Sequence, residues 1–218
     1  MNEKAVLNFL KKQTKAVLLD LLSSAFHEMN SSQKRAVFGN ILKQIRPSKL
    51  DGKKVLKDVK LYYKESLAGA YYAPFDINSK NFSYIPEETE EWFEDLNDHL
   101  LSSTQLTDQG DHSTAIDCFS ILYDLIEKME DGDEIIFADE YGSWMIPGDE
   151  KVYIKAYIAS LAATRLPDEY AKTTIPLLRK DSYESFCNKV YSIAVKAANK
   201  DQQKCLKVEI KKLKIRVK

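Results

Sequence analysis

The sequence predicts an all-α fold, with antiparallel helical hairpins stacked as an α-solenoid or packed as an irregular helical bundle of about ten helices. Two observations predict it. Apolar residues recur three and four positions apart along almost the whole 218-residue chain, which is the spacing of one helix face. Gly (7) and Pro (6) are both scarce, whereas a sandwich or barrel uses many of each in its tight turns. Hydrophobic residues make up 44% and charged residues 30%, so the chain carries enough apolar surface to bury a core.

The elements follow in order. Val6, Leu7 and Leu10 mark a short helix over about 3–12, and Val17, Leu18, Leu21, Leu22, Ala25 and Phe26 a second over 15–29. Asn30 and Gln33 have the spacing of a capping box and open a third helix, which ends at Arg46-Pro47 because a residue before proline avoids the α region. A fourth helix is expected over 51–72, with Val55, Leu56, Val59, Tyr62, Tyr63 and Leu67 on one side. Residues 73–85 then form an irregular stretch broken by Pro74, Asn78 and Asn81. Pro86, Glu87 and Glu88 suit a helix start, and Trp92, Phe93, Leu96, Leu100 and Leu101 supply that helix's apolar face. Asp111 caps the next, which turns Ala115, Ile116, Phe119, Leu122, Tyr123 and Ile126 inward. Residues 130–149 are a second irregular stretch, with Ile135-Ile136-Phe137 as a short strand or a single helical turn. Four more helices are expected near 150–164, 167–179, 182–198 (opened by an Asp181/Glu184 capping box) and 201–213. Apolar and basic residues alternate from Leu206 to Val217 closely enough to suit a strand as well. The chain reads as a single helical domain over 1–218, with a possible subdivision near 73–85 into 1–72 and 86–218.

Cys118, Cys187 and Cys205 are odd in number, far apart and form no Cys-x-x-Cys pair. They read as buried thiols, neither a disulfide framework nor a zinc site. The Met1-Asn2-Glu3-Lys4 start has no signal-peptide pattern, and the longest apolar run, Ala16 to Phe26, is interrupted by Asp20, Ser23 and Ser24. A cytoplasmic protein with no membrane partner is expected.

Around the Gly110-Asp111 turn, Ala115 stands where two helices approach closely and Phe119 at a bulky packing position. With these residues the segment 92–126 resembles one degenerate tetratricopeptide repeat. His99, Ser102 and Ser103 depart from that family's first-helix pattern, and Glu127 stands where its repeat ends in proline. The resemblance implies a stacked helical hairpin and, by the habit of such repeats, protein binding.

Charge is laid out in blocks. Residues 1–85 hold 15 Lys and Arg against 7 Asp and Glu; residues 86–150 hold 20 acidic residues and one basic, Lys128; residues 151–218 hold 16 basic and 6 acidic. The net charge of −1 conceals this asymmetry. Two arrangements are open. The acidic segment lies against the basic ones and is neutralised, or it stands exposed and attracts a basic partner.

Three functional classes follow. The first is a non-enzymatic scaffold or adaptor that binds another protein or peptide, with a basic surface, through a groove or charged face. Trp92, Phe137, Asp139, Glu140, Tyr141 and Trp144 are its candidate contacts. The second is a metal-binding protein or enzyme using the acidic loop at 130–140, with Asp131, Asp133 and Glu134, or the group Asp95, His99 and His112. That loop lacks the EF-hand pattern, since Met129 and Ala138 fall where ligands are needed, and a solvated acidic loop is its plainer reading. His27 reads as a histidine at the edge of the core. The third is nucleic-acid binding by the lysine-rich C-terminal segment, which has no aromatic residues for base stacking; nucleic acid is therefore not the expected partner. No Gly-rich phosphate loop or Gly-x-Ser-x-Gly elbow is present, so no nucleotide, other cofactor or catalytic residue is assigned.

Overall fold

The computed structural model describes residues 3–29, 33–34, 36–39, 41, 49–137, 142, 145–179 and 184–217. Among them nine helices have defined ends and no strand occurs. The chain divides into two compact units, Met1–Arg46 and Pro47–Lys218. The irregular stretch 73–85 lies inside the second unit.

The first unit contains α1 (Glu3–Leu10) and α2 (Lys15–Glu28), followed by helical residues at 33–34, 36–39 and 41. Thr14 caps α2 by accepting from the Val17 amide. The Phe26 and Phe38 rings meet edge to face at 5.4 Å, with the Lys34 ammonium 5.2 Å from the Phe26 ring centre. No described residue of α2 is buried, and Phe9, Leu19, Leu21 and Leu22 are exposed. Asn30, the cap expected for the third helix, lies outside the described residues. His27 is exposed, not at a core edge; its ring centre lies 6.4 Å from that of its neighbour Phe26.

The second unit contains α3 (Gly52–Leu67), α4 (Glu87–Asp108), α5 (His112–Glu130), α6 (Glu150–Thr164), α7 (Pro167–Arg179), α8 (Glu184–Ala197) and α9 (Lys200–Lys212). Its main packing joins helices one or two apart in sequence: α3 to α4 and α5, α4 to α5 and α6, α5 to α6, α6 to α7 and α8, α7 to α8 and α9. Each helix thus rests on its near neighbours along the chain, as in a stack of hairpins.

α3 stops at Leu67, five residues short of the expected end. Gly69 takes a left-handed φ of 76°. The Gly69 amide then reaches the Ser66 carbonyl and the Ala70 amide the Glu65 carbonyl. This turn satisfies carbonyls that the helix end would otherwise leave bare. Gly110, with φ 86°, ends α4 in the same way, and Asp111 then caps α5 by accepting from the Thr114 amide. A hairpin with almost no connecting loop results. Ala115 and Phe119 are fully buried in it.

The core centres on Trp92, Phe93, Leu96, Leu100, Phe119, Leu122 and Ile126. Buried polar atoms bond across helices. The Tyr62 hydroxyl donates to the Trp92 carbonyl at 2.8 Å, and the Trp92 indole donates to Ser66 Oγ at 3.0 Å. The Tyr170 hydroxyl donates to the Ala194 carbonyl at 2.8 Å. Cys118 and Cys187 are buried thiols, as expected, while Cys205 is only half-buried. Burial pushes the Cys118 thiol up to about 12, far from a reactive thiolate.

Two ambiguous segments resolve. Ile135-Ile136-Phe137 forms no strand: Ile135 lies in a turn and Ile136 and Phe137 in a bend, with both isoleucines buried. The tail from Leu206 is helical to Lys212, with Leu206 and Ile210 on the buried face. Of the Asp181/Glu184 cap expected for α8, Asp181 lies outside the described residues. Among the described residues no helix is long and apolar enough to cross a membrane.

Candidate functional site

The acidic segment surrounds α4 and α5. Helix formation puts their apolar residues in the core and most of the carboxylates outside, with Glu91, Glu94 and Asp95 of α4 half-buried. Glu88, Glu90, Asp117, Asp124, Asp131 and Asp133 are all exposed. Asp124 accepts from the Tyr63 hydroxyl at 2.6 Å, which holds that phenol up at about 12. The ion pairs at α9, Lys204–Asp201 and Lys212–Glu209, are local, each three residues apart.

A cleft of about 430 Å³ opens between the C-terminal ends of α5 and α7. Tyr123, Glu127 and Glu130 come from α5; Ile175, Pro176, Leu177 and Arg179 come from α7. Ile175 and Leu177 are buried, Tyr123 is half-buried, and Glu127, Glu130, Pro176 and Arg179 are exposed. The Tyr123 ring is stacked on Tyr157 at 5.8 Å and 11°, and Tyr157 in turn on Phe119 at 5.1 Å. Stacking fixes this wall of the cleft. Arg179 Nη2 lies 3.5 Å from the Leu213 carbonyl, at the end of α9.

The metal and acid–base candidates have separate surroundings. Asp95 accepts from the Tyr71 hydroxyl at 3.2 Å. Burial raises its carboxyl to about 6, the hydrogen bond from Tyr71 opposes this, and Glu91, Asp98 and Glu94 add to the rise. The His99 ring lies against Tyr62 with centres 4.8 Å apart, and burial lowers its pKa. His112 Nδ1 is instead 3.2 Å from Ser160 Oγ on α6, which also meets Thr107 Oγ1 at 2.9 Å. Ser160 is fully buried, so this Ser–His contact ties three helices together and offers no reachable nucleophile. Asp131, Asp133 and Glu134 are exposed in the loop after α5. Among the described residues no three His, Cys, Asp or Glu side chains converge as metal ligands would.

Of the residues expected to contact a partner, Trp92 is fully buried and its indole is bonded to Ser66. It is therefore a core residue; its helix turns it inward with Phe93 and Leu96. Phe137 is half-buried, 5.1 Å from Phe75 and 6.0 Å from Tyr72, with Phe75 in turn 5.2 Å from Tyr84. The Phe137 carbonyl accepts from Thr89 Oγ1 at 2.7 Å, and Ile77, Phe82 and Tyr84 are exposed nearby in the chain. Asp139, Glu140, Tyr141 and Trp144 lie outside the described residues. The α7 wall of the cleft is what reading the sequence missed. Glu127 and Glu130 share a helix face by their spacing, but no local signal links them to Ile175, Pro176 or Arg179.

Compared with protein-family models, with curated proteins and with solved structures, the chain matches none.

Proposed function

We propose that this chain is a non-enzymatic helical scaffold or adaptor that binds another protein through its acidic surface. The observation that supports this reading is the exposure of most carboxylates on α4 and of those on α5 and in the loop after α5, in a segment with 20 acidic residues and one basic. Repulsion among these charges weakens the folded state, and a partner with a basic surface relieves it. Such a surface raises the association rate and selects partners by charge sign. With a screening length of about 8 Å at physiological salt, the attraction acts at close range.

The test is a partner pull-down with the full chain, repeated after Glu127, Glu130, Asp131, Asp133 and Glu134 are changed to their amides. The expected result is recovery of a protein with a basic surface that the amide variant loses, followed by direct binding of that purified protein. A set of partners unchanged by the five substitutions overturns the proposal.

A further inference from the structure

We infer that the cleft between α5 and α7 is a peptide groove, and that it takes a Lys or Arg side chain of the partner together with a neighbouring partner carboxylate. This rests on the adaptor reading above and names where and how the partner is held.

The argument starts from shape. A volume of about 430 Å³ lies within the roughly 300–1,000 Å³ of ordinary ligand sites and holds a few residues of extended chain. Both walls pack on α6, which lies between them in the sequence. A groove between alternate helices of a stack is where helical-repeat architectures hold peptides. Its chemistry is two-sided. Glu127 and Glu130 stand one turn apart on the α5 rim, and Arg179 stands on the α7 side. Ile175, Leu177 and the Tyr123 ring form an apolar interior between them. A cationic side chain with a long aliphatic stem matches this layout. Its head meets the two carboxylates and its stem lies along the partly exposed Tyr123 and the exposed Pro176. A purely cationic peptide would also face Arg179, so a carboxylate a residue or two away completes the match. The groove is also preorganised. The Tyr123–Tyr157 stack and the rigid ring of Pro176 within α7 reduce the ordering cost of binding.

The experiment uses the full chain, isotope-labelled, titrated with a short peptide carrying one Arg beside Leu and followed by Asp. A matched peptide with citrulline in place of Arg is the neutral control. Backbone amide shifts should concentrate at Tyr123, Glu127, Glu130, Ile175, Leu177 and Arg179. Citrulline, or the double variant Glu127→Gln/Glu130→Gln, should weaken binding about tenfold, the effect of losing a charge-assisted contact. Glu88→Gln/Glu90→Gln removes the same charge from the start of α4 and should change it less than twofold. If the two double variants weaken binding equally, or the shifts lie elsewhere, the groove is wrong while the acidic-surface reading stands. If neither the Arg peptide nor its Lys counterpart binds and the amide substitutions leave every partner in place, both are wrong.

Discussion

Gln202 joins two helix ends through one side chain, and truncating it tests how the C-terminal half is held together. The residue is 1% exposed. Its Oε1 accepts from the Asn199 amide at 2.9 Å, closing the capping box at the start of α9. Its Nε2 donates to the Ala162 carbonyl at 3.0 Å and the Arg165 carbonyl at 2.9 Å, both at the end of α6. Gln202→Ala removes three hydrogen bonds and leaves two carbonyls without a donor. At about 1 kcal/mol per net bond, and more where a buried group stays unsatisfied, the loss should be about 3 kcal/mol. For a unit of this size that lowers Tm by about 6–12 °C. Urea unfolding followed by circular dichroism measures it. Gln203→Ala is the comparison. That side chain also donates twice, to the Val195 and Ala198 carbonyls at the end of α8, at 2.9 and 3.1 Å, but it is half-buried, where water can replace the lost donor. Its loss should be about 1 kcal/mol. Gln202→Glu keeps the acceptor for Asn199 and turns a carboxylate on two carbonyls, so it should be no milder than Ala. A Gln202→Ala protein within 0.5 kcal/mol of the parent, a margin typical of an unimportant surface site, refutes the reasoning.

Asp95 offers a pH test. Its carboxyl is raised by burial from 3.8 to about 6, so its contribution to stability is complete below pH 4 and is lost as pH rises through 6. Asp95→Asn should therefore match the parent near pH 4 and exceed it by about 1–2 kcal/mol at pH 7–8, a gain discounted for partial exposure; a constant difference across that range contradicts the assignment. Gly148 has φ 106°, and a Cβ there would collide with the Tyr153 hydroxyl and lie 2.9 Å from Asn97 Oδ1. Gly148→Ala should cost about 2–4 kcal/mol in urea unfolding, against about 1 kcal/mol for Gly132→Ala, where φ is 91° and the space is open. Binding of a basic protein partner should weaken steadily as salt rises from about 50 to 500 mM; anisotropy titrations that show no salt dependence would remove charge from the explanation.

Much of the fold was legible because helix periodicity is a local signal. α6 and α7 run close to the expected 150–164 and 167–179, and Asp111 caps α5 as its position implies. The end of α3 was misread because Tyr71 and Tyr72 continue its apolar pattern past the stop that Gly69 imposes. An apolar pattern extends wherever side chains are apolar, whereas a helix ends where the backbone turns. The capping box of Asn199 and Gln202 was also overlooked, although its Asn-x-x-Gln spacing is written in the sequence. Trp92 shows the limit of residue type as a guide. Large aromatics suit interfaces and cores alike, and only the packing of α3 on α4 puts this one inside.

Helicity, the hairpin at Gly110 and the block of 20 acidic residues follow from the order of amino acids alone, because each depends on neighbours within a turn or two. Which carboxylates stand in solvent, and that Glu127 and Glu130 share a cleft with Pro176 and Arg179, depends on how α5, α6 and α7 pack. Those contacts join residues far apart in the chain, and periodicity carries no information about them.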